Sequence, residues 1–87
     1  MHEKTRAALN DILMQELQPR YLEVIDDSSA HSGHVEAKKN PTKGHFIINI
    51  SDENLPQGRL AQHRAIFRVI QPLMHLVHAC TISIRSE

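Results

Sequence analysis

Leu9, Ile12, Leu13 and Leu17 recur at i, i+3, i+4 and i+8, the spacing that gathers apolar side chains on one side of an α-helix. Pro19 lacks the N–H that a continuing helix needs, so the pattern predicts a first helix from about Glu3 to Leu17. The period then changes to two. In YLEVID (21–26), Leu22 and Val24 face one way and Tyr21, Glu23 and Ile25 the other; in HFIINI (45–50), Phe46, Ile48 and Ile50 form the apolar side. Both segments read as half-buried strands. Residues 26–44, rich in Ser, Gly, His and Lys with Pro41 and Gly44 as breakers, read as a long mobile loop between them.

After a turn carrying Pro56 and Gly58, RLAQHRAIFRVIQ places Leu60, His63, Phe67 and Ile70 at i, i+3, i+7 and i+10, predicting a second helix with that stripe turned inward. Pro72 should end it near Gln71 or recast it as a short turn. ACTISI (79–84) alternates Cys80, Ile82 and Ile84 against Thr81 and Ser83 as a third strand, with His78 just before it. The order is α, β, β, α, β. Strand, helix and strand in succession favour a parallel pair with a right-handed crossover, while the first two strands pair most naturally antiparallel. An α+β fold follows: a three-stranded mixed sheet covered by helices on one face, forming a single domain over residues 1–87 without internal repeats.

Composition narrows the function. A chain of 87 residues buries only roughly 60 to 65% of its unfolded surface and leaves no room for an enclosed catalytic cleft. Ten Lys plus Arg balance ten Asp plus Glu, so binding to nucleic acid or anionic lipid would need a local patch. No apolar run approaches the roughly 18 residues of a membrane span, and MHEKTRAALND has no secretory core, which makes the cytoplasm the expected compartment. The sequon NIS at Asn49 is then coincidental. A single cysteine excludes an internal disulfide and a CxxC knuckle. No GxSxG elbow, P-loop, GxGxxG turn or pair of pocket acids is present, so enzymatic activity is not expected.

The remaining chemistry lies in seven histidines and a few arginines. Three histidines fall within HSGHVEAKKNPTKGH (31–45). His31 and His34 flank Gly33 in a spacing open to metal donation, although an HxxH pair in a polar loop is also what a solvated segment looks like. His78 sits where a loop-to-strand junction can aim it outward. The chain holds no full ligand set for a closed zinc site, so a site shared with a second protein fits one or two histidines better. His63, on the apolar stripe, reads as a structural histidine at the core edge, hydrogen-bonded; His45 and His75 carry no spacing signal. Cys80 reads as a small buried hydrophobe. Arg59, Arg64 and Arg68 make the second helix locally basic, a face for phosphates or simply its solvated side. Tyr21, Phe46 and Phe67 are too few, and two of them too internal, to form a base-stacking platform.

Four segments, YLEVIDDS, GHFIINIS, LAQHRAIF and VHACTISI, together resemble the BolA-like protein family, in the family's order and over about three quarters of the chain. The resemblance implies a class II KH-like fold with an αββαβ core. It also implies a non-enzymatic adaptor, monomeric when alone, that binds a monothiol glutaredoxin and shares a 2Fe-2S cluster with it, glutathione supplying one ligand. In the family, one ligand comes from the loop between the first two strands and one from a histidine before the last strand. By position these correspond to His31, with His34 as the alternative, and to His78. An imidazole in place of thiolate on iron is familiar chemistry. The other role the family implies is DNA-binding regulation of stress response and cell morphology, through the surface of the second helix with Arg59, Arg64 and Arg68. Two departures bear on these roles. Gln62 stands in a commonly Arg-His-Arg segment, which removes a positive charge, and Cys80 stands where leucine is common.

Overall fold

The computed structural model describes residues 2–27 and 44–85. Helix α1 spans Glu3–Leu17. It stops because Gln18 takes a left-handed conformation (φ 47°, ψ 55°) and turns its N–H back to the Met14 carbonyl at 3.1 Å, immediately before Pro19. Strand β1 is Tyr21–Asp26 and strand β2 is Gly44–Ser51, each reaching one residue into the segment expected to be loop. Helix α2 is Arg59–Ile70, followed by a 3-10 helix, Gln71–Leu76, with Pro72 in its first turn, as the proline requires. Strand β3 is Val77–Ile84.

The strands lie in the order β1-β2-β3, with β2 antiparallel to β1 and parallel to β3. Phe46, Ile48 and Ile50 of β2 are at most 1% exposed and meet Leu9 and Leu13 of α1 and Ile66 and Ile70 of α2, all fully buried. Val24, Val77 and Ile82 complete this layer. On the opposite sheet face, which none of the described helices covers, Asn49 and Tyr21 both donate to the Glu23 carboxylate, the Arg85 guanidinium lies 4.9 Å over the Tyr21 ring, and Ile25 pairs with Ile47. A mixed sheet with helices on one face is therefore what the chain forms. Among the described residues, no helix is long and apolar enough to cross a membrane.

The inward face of α2 differs from the expected stripe. Ile66 and Ile70 are buried, Phe67 and Val69 pack partly against them, and Leu60 is 64% exposed. At about 100° per residue, a face centred between Ile66 and Ile70 lies roughly 100° from Leu60 and 40° from His63. The sheet takes up the two β-branched residues, and the helix is turned accordingly. His63 is thus half-buried beside the outer edge of β3, near Thr81 and Ser83, and among the described residues its side chain makes no hydrogen bond. The expected bond is absent because the ring sits where solvent reaches the groove between helix and edge strand.

Candidate functional site

One end of the sheet gathers the start of β2, the start of β3 and the end of β1. There Gly44 pairs with Val77, but the next β2 residue, His45, pairs with Ala79. Two residues of β3 thus oppose one step of β2, a β-bulge that leaves His78 without a register partner. The bulge follows from burial: Val77 is drawn into the core (7% exposed), and Cys80, in register with Phe46, packs against it too. Three peptide steps separate two inward residues, so His78 and Ala79 are both displaced toward the open face. His78 is accordingly the second residue of β3 and exposed, not the last residue of a preceding loop.

Its ring lies 5.0 Å from that of His45, centroid to centroid, with 50° between the planes. His45 is half-buried, and its carbonyl accepts from Asp27 N–H at 2.9 Å, which extends the β1 contact past the strand's end. No spacing along the chain joins these two histidines. A signal existed in the βαβ order, because parallel pairing brings the starts of β2 and β3 side by side.

Other sequence-derived residues are sorted by the same end of the sheet. His31 and His34, and the expected mobile loop, lie outside the described residues; the segment 28–43 leaves from Asp27 and returns at Gly44, both beside His45. Cys80 faces the core, where burial pushes its thiol up from 9.0 to about 11. It stays a protonated thiol near neutral pH and does not stand with His78 as a donor. His2 lies on the core side: its ring meets Phe46 edge-on at 6.4 Å, and its N–H donates to the Asp26 carboxylate at 2.7 Å. His75 is exposed on the 3-10 helix. Among the described residues, no three His, Cys, Asp or Glu side chains converge as a metal cage. An exposed imidazole on a sheet-held bulge does fit one position on an iron that draws its other ligands from elsewhere.

Arg59, Arg64 and Arg68 are all exposed and line one shallow groove on α2 with Pro56, Leu60 and Ala65. The structure therefore brings these three together, on a face well away from the core.

Comparison with known proteins agrees with this architecture. No curated protein matches the chain. Among solved structures, the BolA domain of SufE1 from Arabidopsis thaliana is 28% identical, with a TM-score of 0.74 over 93% of this chain and 90% of that one. BolA1 from Arabidopsis thaliana gives 24% identity and a TM-score of 0.73, covering 93% and 89%. A bol-like protein from Babesia bovis shares the fold at 21% identity, with a TM-score of 0.73 and coverage of 93% and 83%. The family model for BolA-like proteins matches residues 13–87, from the last third of α1 through all three strands, and the chain belongs to the BolA-like protein family.

Proposed function

We propose that the chain is a cytoplasmic, non-enzymatic adaptor that binds a monothiol glutaredoxin and shares a 2Fe-2S cluster with it, in iron-sulfur trafficking or iron sensing. The observation that supports this reading is the exposed imidazole of His78, raised on a bulge at the sheet end from which the segment 28–43 departs and to which it returns. His78 supplies one nitrogen donor and His31 or His34 the other, while glutathione and the glutaredoxin supply thiolates. Cys80 takes no part, since its sulfur is turned into the core. Imidazole ligation at one iron shifts the cluster's potential upward, which suits exchange or sensing. The test is to mix the chain with a monothiol glutaredoxin, glutathione, iron and sulfide and record visible circular dichroism. The mixture should give a spectrum distinct from that of the glutaredoxin homodimer, and His78→Ala should return it toward the homodimer's. A spectrum unaffected by adding the wild-type chain rejects the reading.

The shared groove of Arg59, Arg64 and Arg68 supports a second reading, a DNA-binding regulator. Three phosphate contacts predict a log–log salt slope of about −2.7, at roughly −0.9 each. Replacing any one arginine should make the slope shallower by about one unit. Binding that ignores both salt and these substitutions removes it.

A further inference from the structure

The cluster reading leaves His45 without a role, yet its ring stands 5.0 Å from that of His78, on the face of the sheet that none of the described helices covers. We propose that His45 and His78 form a two-imidazole chelate for one divalent transition-metal ion of the Zn2+ class, held by the chain alone, with solvent completing the coordination. The geometry carries this. A metal sits about 2.1 Å from an imidazole nitrogen and hence roughly 3.2 Å from the ring centroid, so two rings at a tetrahedral metal lie about 5.2 Å apart. At adjacent square-planar positions the same rings lie about 4.5 Å apart. The observed separation falls between these values. The 50° between the planes is neither the offset stack nor the perpendicular contact that a ring pair prefers on its own account.

Both rings are carried by strand backbone. The His45 backbone is held by the Asp27 hydrogen bond and its pairing with Ala79, and that of His78 lies within β3. The side-chain rotamers are then what a metal has to order. Two imidazole nitrogen donors suit Zn2+, Cu2+ or Ni2+ and not Mg2+ or Ca2+. This site goes beyond the shared cluster: it belongs to the chain without its partner and stands whether or not a cluster is ever shared.

The test uses the untagged full chain, labelled with 15N, titrated with zinc chloride while the imidazole nitrogens are followed by long-range 1H–15N correlation. The His45 and His78 rings should shift together and saturate at one Zn2+ per chain, with His63 and His75 unmoved and magnesium chloride without effect. By calorimetry, His45→Ala and His78→Ala should each weaken binding at least about tenfold, because the second imidazole is otherwise delivered at high effective concentration. His75→Ala should match the wild type. The proposal is overturned if the wild-type rings do not respond, if only one of the two responds, or if either folded variant binds Zn2+ as the wild type does. The wild-type spectrum decides the matter even if a variant fails to fold.

Discussion

Gly44→Ala probes how the histidine end of the sheet is held. A Cβ at position 44 would stand 2.8 Å from Cζ of Phe46 and 2.9 Å from both Cδ2 and Cγ of His2. Ordinary carbon contacts begin near 3.5 Å, so the neighbours must retreat by about 0.6 Å. Phe46 is 1% exposed and cannot retreat without disturbing the core. His2 can swing, but its N–H is bonded to the Asp26 carboxylate at the start of α1. Overpacking of this kind costs about 1 to 3 kcal/mol, and the reduced entropy of an unfolded chain with alanine offsets about 0.4 to 1 of it. The expected net loss is roughly 0.5 to 2 kcal/mol, read as a fall of about 0.5 to 2 M in the urea midpoint at an m-value near 1 kcal/mol/M. Adding His2→Ala should restore part of the loss, with a coupling of at least about 0.5 kcal/mol between the two positions. A Gly44→Ala chain as stable as the wild type, or additive effects at positions 2 and 44, refutes the close packing described here.

The orientation of α2 makes a sharp contrast: Ile66→Ala should destabilise by about 2 to 5 kcal/mol, whereas Leu60→Ala should stay within about 0.5 kcal/mol of wild type, and equal losses in chemical denaturation would restore the Leu60 stripe. His63→Ala should cost less than about 1 kcal/mol, since no partner among the described residues is orphaned; a loss of several kcal/mol would show a buried bond. For Cys80, the folded chain keeps its proton where the unfolded thiol has lost it, so stability should fall as pH rises from about 9 to about 11. Urea midpoints on either side of that window should show the fall in the wild type and a smaller one in Cys80→Ala, where Tyr21, its phenol raised by the hydrogen bond to Glu23, still contributes in the same direction.

The fold was legible because each element carries its own period. The Leu9 to Leu17 stripe, the alternation through Phe46, Ile48 and Ile50, and the breaker Pro72 are local signals that tertiary packing reinforces. The face of α2 was less legible because Leu60, Phe67 and Ile70 compete with Ile66 for the sheet, and helical periodicity alone does not say which pair of ridges meets it. His78 was recognisable as a residue but not its setting. A bulge arises from two inward demands, Val77 and Cys80, three peptide steps apart, and it becomes visible only when β3 is laid against β2. His45 was missed for the same reason: its partner is thirty-three positions away in sequence and adjacent only across a parallel pair.

Sharing a cluster requires this chain to enter a one-to-one complex and to supply ligands in it. Native mass spectrometry of the chain with a monothiol glutaredoxin, reconstituted with glutathione, iron and sulfide, would reveal that complex. A heterodimer retaining two irons, two sulfides and one glutathione is expected, with loss of that species in favour of the glutaredoxin homodimer when His78→Ala replaces the wild type. A spectrum showing only glutaredoxin homodimer with cluster beside the free wild-type chain would contradict it.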